Sequence, residues 1–141
     1  MISRCTAEAV SVVKHVAPYL YVGIGGFAGS LLRYAVTLAS RGHSLSFPVG
    51  TLLSNLGGCL AIGVFVTLAA RATSVPTEVR LLVATGICGG FTTMSSFVYE
   101  LMQFVRDGEM AAAAGYFAAT VLGSCVCFAL GAMIVRLVAK G

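Results

Sequence analysis

Apolar residues run through the chain in four long segments, at about residues 18–40, 47–70, 80–104 and 111–135, with short polar stretches between them. Each segment reaches the roughly 20 apolar residues that an α-helix needs to cross a bilayer. The pattern predicts an all-α integral membrane protein with four transmembrane helices. Residues 1–17 are predicted to be an N-terminal extension, and residues 18–138 one four-helix transmembrane domain.

The third apolar segment contains a polar, glycine-rich stretch at residues 85–100. Gly86, Gly89 and Gly90 each destabilise a helix by up to about 1 kcal/mol relative to Ala, and the hydroxyls that follow offer local partners to backbone groups. An unsatisfied backbone group in hydrocarbon costs several kcal/mol, so a broken helix there must be buried in protein or face a polar cavity. The stretch predicts a broken third helix in an oligomer, a pore, or both.

Polar side chains are aligned on the second and fourth spans. Thr51 and Asn55 share one helix face. Asn55 either bonds an adjacent helix or presents its amide N–H to an anion, and the sequence leaves both open. Tyr116, Thr120 and Ser124 recur every fourth residue and form a line of hydroxyls about 12 Å long, unless each bonds back to its own helix.

Two charged residues inside the spans have several interpretations. Arg33 either extends to the interface beside Tyr34 or faces a water-filled vestibule and attracts anions. Glu100 is a proton-linked group of a transporter, a structural hydrogen-bond acceptor, or a residue near the interface.

The composition narrows the function to transport or assembly in a membrane. The chain is 58% hydrophobic and 10% charged, and its net charge of +4 is spread over helix ends without a patch that would bind nucleic acid. No catalytic motif or paired carboxylates occur, so we predict no enzyme. Hydrogen-bond donors without carboxylates favour an anion pathway, whereas carbonyls released at a helix break suit a hard cation such as Na⁺.

Three motifs in this order closely resemble the Fluc/CrcB family of fluoride channels, over roughly residues 20–138. They are Gly25-Gly26-x-x-Gly29-x-x-x-Arg33-Tyr34, Gly50-Thr51-Leu-x-x-Asn55-x-x-Gly58 and Gly86-x-x-Gly89-Gly90-x-Thr92-Thr93-x-Ser95-x-Phe97-x-x-Glu100. The resemblance implies a dual-topology, antiparallel homodimer in the inner (plasma) membrane, surrounded by lipid. Two pores would export fluoride passively from the cytoplasm and reduce its toxicity.

The resemblance also implies roles for individual residues. The fluoride pore would be lined by Asn55, Met94, Phe97, Tyr116, Thr120 and Ser124. Arg33 would lie near a vestibule, and the backbone carbonyls of Gly89 and Thr92 from both subunits would hold a structural Na⁺ at the dimer centre. Met94 stands where the family usually has a phenylalanine, and we expect conduction to survive this change at an altered rate.

The distribution of basic residues bears on the dual topology. If the N-terminus, second loop and C-terminus share a side, Arg4, Lys14, Arg71, Arg80, Arg136 and Lys140 lie there, against Arg33, Arg41 and Arg106 opposite. This bias favours a cytoplasmic N-terminus, whereas dual topology needs near balance.

Three other functions compete with a fluoride channel. A small multidrug exporter needs an acidic residue in its first span, which this chain lacks. A proton-coupled fluoride carrier differs from a channel in whether fluoride flux alone changes the membrane voltage. A non-transporting scaffold would explain the glycines through packing, but not the aligned polar faces.

Overall fold

Helices make up nearly all of the chain that the structure, a computed structural model, describes: residues 2–40, 47–72 and 74–139, with only the backbone described for residues 2–14. The α-helices are α1 (Ile2–Ser40), α2 (Val49–Arg71), α3 (Thr77–Arg80), α4 (Gly89–Phe91), α5 (Met94–Arg106) and α6 (Met110–Val138). A π-helical stretch, Leu81–Cys88, connects α3 to α4.

Four segments are long and apolar enough to cross a membrane: His15–Ser40, Val49–Arg71, Thr77–Arg106 and Met110–Val138. Their bounds confirm the four predicted spans to within a few residues. The chain is an all-helical, multi-pass membrane protein.

The first helix begins earlier than the apolar pattern indicates. It runs from Ile2 through Pro18, which lies inside the helix, to Ser40. The expected boundary between residues 17 and 18 therefore falls within a helix, and the separate role of residues 1–17 stays a prediction. The first loop with Arg41, the side chains of Arg4 and Lys14, and Lys140 lie outside the described part.

The second helix occupies the middle of the packing arrangement. It contacts α1, α4, α5, α6 and the π-helical stretch, whereas α1 lies mainly along the π-helical stretch and α4. The polar face of α2 is buried in this arrangement, including Thr51, Ser54 and Asn55. The fold therefore surrounds these side chains with protein on several sides.

Glycines bring α1 and the third span into backbone contact. A Cβ atom added to Gly25 would meet the carbonyl oxygen of Leu82, and one added to Gly29 would meet that of Ile87. A Cβ atom on Gly86 would lie 2.8 Å from the Cα atom of Gly25. These contacts confirm that Gly25 and Gly29 form a face for close helix packing.

The third span has a two-residue interruption at Thr92 and Thr93, between α4 and α5. Thr92 has φ −81° and ψ 155°, and Thr93 has φ −150° and ψ 115°, so both have extended backbone. Gly86, Gly89 and Gly90 precede the interruption and lie within helical backbone. The interruption lies within the predicted stretch of residues 85–100, and Gly86 and Gly90 also serve as contact points with α1.

Candidate functional site

Asn55 of α2 forms hydrogen bonds with the backbone of the interruption in the third span. Its Oδ1 accepts a hydrogen bond from the Thr93 backbone N–H at 2.8 Å, and its Nδ2 donates to the Thr93 carbonyl at 3.2 Å. Asn55 thus satisfies both polar groups of one extended residue, which confirms the interpretation of an interhelical bond. An amide has a second N–H, so presentation of a donor to an anion stays a prediction.

Threonine hydroxyls satisfy the helix ends on each side of the interruption. The Thr92 hydroxyl donates to the carbonyl of Cys88 at 3.0 Å, one turn earlier in the chain. The Thr93 hydroxyl accepts a bond from the Ser96 N–H at 3.2 Å and so caps the N-terminus of α5. These bonds confirm the expected use of local hydroxyls.

Two carbonyls lose their usual helical donors at this point. In a continuous α-helix the N–H of Thr93 would bond Gly89 and that of Ser96 would bond Thr92. Here the first N–H donates to Asn55 and the second to the Thr93 hydroxyl. The carbonyls of Gly89 and Thr92 are therefore suited to accept a ligand. Within the described ranges no cluster of three His, Cys, Asp or Glu side chains could hold a metal, so a cation here would depend on carbonyls.

Arg33 of α1 reaches the same region. Its Nε donates to the Gly90 carbonyl at 3.1 Å, and its side chain is half-buried. A guanidinium is favourable beside carbonyls at the C-terminal end of a helix, where the helix dipole is negative. Neither sequence interpretation identified this partner, and the vestibule role of Arg33 stays a prediction.

A cavity of about 320 Å³ lies beside the interruption, and we call it the central cavity. Its wall consists of Asn55, Cys59, Thr92, Thr93, Met94, Phe97, Thr120, Val121 and Ser124. The wall includes five of the six residues predicted to line a pore, and none of its nine residues is charged. Met94 is 70% exposed, whereas Phe97 is only 3% exposed. Of these two wall residues, only Met94 is largely accessible from outside the protein.

Thr120 belongs to this wall, and its hydroxyl oxygen is enclosed in the protein near the Tyr116 side chain. The residue is 6% exposed, and its Oγ1 makes no hydrogen bond of standard geometry with the described residues. Thr67 of α2 shows the alternative, because its hydroxyl donates to the Gly63 carbonyl of its own helix at 2.8 Å. Bonding of Thr120 back to its own helix, the competing expectation, is therefore wrong for this residue.

Tyr116, the sixth predicted pore residue, does not belong to the wall of the central cavity. It is fully buried, and its hydroxyl donates to Oε2 of Glu100 at 2.7 Å. Thr51 donates to Oε1 of the same carboxylate at 2.7 Å. Of the three interpretations of Glu100, the structure bears out the structural acceptor. The Phe97 ring lies 5.1 Å from that of Tyr116 and connects this pair to the cavity wall.

A second cavity of about 450 Å³ is lined in part by Glu100. Phe47 and Phe104 line it and also pack against the Tyr116 ring, with centroids 5.4 and 6.0 Å away. Rings from the walls of both cavities therefore pack against Tyr116. The sequence interpretation missed Phe104 and Cys59, although Phe104 follows Phe97 by seven residues and Cys59 follows Asn55 by four, which are helical spacings for a shared face.

Comparison with known proteins places this arrangement in one family. The family described as "CrcB-like protein, Camphor Resistance (CrcB)" matches residues 20–132. A "Fluoride-specific ion channel FluC" of Chlorobium phaeobacteroides (strain BS1) is 42% identical over 121 residues, which cover 86% of this chain and 94% of that protein. The protein of the same description from Chlorobaculum tepidum is 43% identical over 118 residues, 84% of this chain and 94% of the relative. The protein of the same description from Prosthecochloris aestuarii is 42% identical over 117 residues, which cover 83% of this chain and 91% of that protein. With the family match spanning all four membrane segments, the chain belongs to the CrcB family.

Proposed function

We propose that the protein is a fluoride-specific ion channel that conducts by passive electrodiffusion. The observation that carries the proposal is the uncharged wall of the central cavity, into which α2, α5 and α6 bring an amide, an aromatic ring and hydroxyls. The names of the relatives, fluoride-specific ion channels, agree with this chemistry. Transport, rather than catalysis, is the activity that this wall supports.

The wall suits a small anion because it offers donors and no competing negative charge. Fluoride binds its hydration water strongly and needs close donors as replacement. Three groups would supply these donors: the hydroxyl of Thr120, the hydroxyl of the half-buried Ser124, and the second N–H of Asn55. The Thr120 hydroxyl makes no hydrogen bond of standard geometry with the described residues. The edge of the Phe97 ring is the electropositive part of its quadrupole and adds a weaker contact.

The permeation path in this proposal continues from the central cavity past Phe97 to Tyr116. Tyr116 already donates to Glu100, so its ring edge, rather than its hydroxyl proton, would face the anion. Arg33 would contribute positive potential near a vestibule through its position at the Gly90 carbonyl.

The finer architecture of the proposal is an antiparallel, dual-topology homodimer with two pores and third helices broken at membrane depth. Gly89 supports a second subunit here because it is exposed, and a Cβ atom added to it would have only the Ala84 carbonyl oxygen near, at 4.0 Å. Apolar side chains of α1, including Leu20, Ile24 and Phe27, are more than half exposed and would contact lipid or the second subunit.

A structural Na⁺ at the dimer centre belongs to the same proposal. The carbonyls of Gly89 and Thr92, whose usual N–H donors bond elsewhere, would hold it in each subunit. The ion would offset the negative ends of two facing helix C-termini. In the plasma membrane, such a dimer would export fluoride from the cytoplasm down its electrochemical gradient and limit toxicity.

A proton-coupled fluoride carrier is the second candidate, and Glu100 favours it. This carboxylate bonds both Thr51 and Tyr116 and lines the second cavity, with which a proton could be exchanged. In a carrier of this type proton and fluoride move together, so flux is electrically neutral.

The test is fluoride efflux from liposomes containing the purified protein, read by a fluoride electrode in a K⁺ gradient with and without valinomycin. A channel releases fluoride only when valinomycin carries the compensating charge, and releases no chloride. Release without valinomycin that is lost in Glu100→Gln would establish the carrier. Protein that runs as a dimer yet releases no fluoride would refute both and favour a scaffold.

A further inference from the structure

A groove of about 260 Å³ lies between the last turns of α2 and the beginning of the third span, and we call it the α2 groove. Its wall is apolar except for one arginine and consists of Phe65, Val66, Ala69, Ala70, Arg80 and Ala84. None of these six residues belongs to the wall of the central cavity. The α2 groove is therefore separate from the proposed fluoride path.

The guanidinium of Arg80 is available to a ligand. Arg80 is exposed, and no ion pair or side-chain hydrogen bond joins it to another residue that the structure describes. A guanidinium offers five N–H donors in a planar arrangement that matches the oxygens of a phosphate. One unpaired cation beside an apolar groove suits a ligand that combines an anionic headgroup with a hydrocarbon chain.

The α2 groove lies at one end of the helix bundle. The second span ends at Arg71 and the third begins at Thr77, so the short connection between them is at the level where a span leaves the membrane. Arg80 is one turn inside the third span, and the alanines of the groove wall extend from there toward the membrane interior. A phospholipid has its headgroup and its acyl chains in the same order.

This end of the bundle is positively charged. Helices α2 and α6 run in the same direction, because close contacts pair Leu56 with Gly123 and Gly63 with Phe128. Arg136 in the last turn of α6 therefore lies at the same end as Arg71 and Arg80. Against these three arginines, Glu78 is the one acidic residue in the described terminal turns, which leaves a net charge of +2. The charge complements an anionic headgroup.

The α2 groove also lies apart from the contact between α1 and the third span. A Cβ atom on Gly25 of α1 would meet the Leu82 carbonyl and the Gly86 Cα atom. Ala84 is two residues from each of them, so helical geometry places it on the other side of the third span. The groove thus opens away from α1.

We propose that the α2 groove binds one anionic phospholipid, with its phosphate on Arg80 and an acyl chain against Phe65 and Val66. Basic pockets between membrane helices bind anionic lipid headgroups in this way. A free phosphate would contact only the arginine, so the apolar wall favours the whole phospholipid. This binding does not depend on fluoride conduction and goes beyond the proposed function.

The experiment is native mass spectrometry of the purified full-length protein in detergent, titrated with dioleoyl phosphatidylglycerol. Dioleoyl phosphatidylcholine has the same chains without net charge, and glycerol phosphate has the charge without chains. Arg80→Gln removes the cation, and Ala70→Phe fills the α2 groove from an exposed position. Arg106→Gln, at the opposite end of the third span, and Ala114→Phe, on α6, are the matched controls at exposed positions.

We expect the native protein to retain one phosphatidylglycerol per subunit and to bind phosphatidylcholine and glycerol phosphate more weakly. Arg80→Gln should raise the phosphatidylglycerol concentration for half-occupancy about fivefold and remove the preference over phosphatidylcholine. Ala70→Phe should abolish retention of the lipid. Both control variants should bind phosphatidylglycerol as the native protein does.

Three results would overturn the site. The first is equal retention of the two lipids, unchanged in Arg80→Gln, and the second is binding of glycerol phosphate as tight as that of phosphatidylglycerol. The third is a changed number of subunits in Arg80→Gln or Ala70→Phe without loss of lipid, which would assign the α2 groove to a second copy of the chain. If Ala70→Phe does not fold, the native protein decides the acyl contact, because phosphatidylglycerol with six-carbon chains should then bind more weakly than the dioleoyl lipid. The masses can be measured whether or not the protein conducts fluoride, so failure of the proposed function would leave this result standing.

Discussion

Replacement of Thr120 by Val should stabilise the protein while impairing its transport. The Thr120 hydroxyl is buried and makes no hydrogen bond of standard geometry with the described residues, and a buried polar group left unpaired costs about 1–3 kcal/mol. Valine has nearly the same shape, so we expect Thr120→Val to raise the free energy of unfolding by about 1 kcal/mol. Loss of a hydroxyl that donates to an anion removes about 1.5–3 kcal/mol of stabilisation. If this is lost at the highest barrier to permeation, fluoride efflux should fall about 10- to 100-fold.

The assay for Thr120→Val is thermal unfolding in detergent together with liposome efflux on the same preparation. Thr67→Val is the matched control, because the Thr67 hydroxyl bonds the Gly63 carbonyl and does not line the central cavity. We expect that control to leave flux unchanged. Wild-type efflux in Thr120→Val would refute the hydroxyl as part of the path. A loss of stability would show that the hydroxyl has a structural bond in the native protein.

Four further substitutions test the lining and the packing. Asn55→Asp keeps an acceptor oxygen but replaces the donor N–H by a carboxylate oxygen. A carboxylate about 5 Å from an anion, at an effective dielectric constant of about 20, repels it by about 3 kcal/mol. Efflux measured with the fluoride electrode should therefore fall at least about 100-fold, and a wild-type rate would contradict the assigned wall. Phe97→Ile removes the ring edge from a residue that is only 3% exposed, so efflux should fall, while the protein should still elute on size exclusion as the wild type does. Unchanged flux would remove Phe97 from the path. Met94→Phe should still conduct fluoride, at a changed rate, which would show that conduction does not require Met94. Abolished flux would show that it does. Gly29→Ala inserts a methyl group against the backbone of the third span and should destabilise the fold by about 1–3 kcal/mol in thermal unfolding, whereas Gly23→Ala, with nothing within 4 Å, should not.

The architecture could be predicted from the sequence because membrane helices depend on local composition. Four apolar segments of sufficient length define the spans, and a pair of glycines at Gly25 and Gly29 predicts a close helix contact. Five of the six pore residues that the family resemblance implied line one cavity. Helical spacing accounts only for residues of one helix, such as Thr120 and Ser124 on α6, because it determines which side chains share a face.

The partners of the polar groups could not be predicted, because they are distant in sequence. Asn55 and Thr93 are separated by 38 residues, and Arg33 and Gly90 by 57. Each polar side chain has several chemically reasonable partners in a four-helix protein, and helical periodicity does not choose among them. The bond between Tyr116 and Glu100 is nearer, at 16 residues, yet it too crosses between two helices.

The predicted stretch of residues 85–100 contains the interruption at Thr92 and Thr93, but the sequence could not identify these two residues within it, for a different physical reason. Glycine both weakens a helix and allows another backbone to approach it. Composition alone does not separate the two effects. Gly86 and Gly90 lie in helical backbone against α1, and the extended residues are threonines whose polar groups have partners.

The bonds between Asn55 and Thr93 also have a consequence for biogenesis. A ribosome makes α2 before the third span, so Asn55 leaves it 38 residues ahead of Thr93. The extended peptide group of Thr93 would be costly in hydrocarbon by itself, since neither its N–H nor its carbonyl could find water there. Its partner amide is already in the membrane when the third span arrives. The order of synthesis thus provides the solvation that this peptide group needs, and insertion of the third span depends on prior insertion of the second.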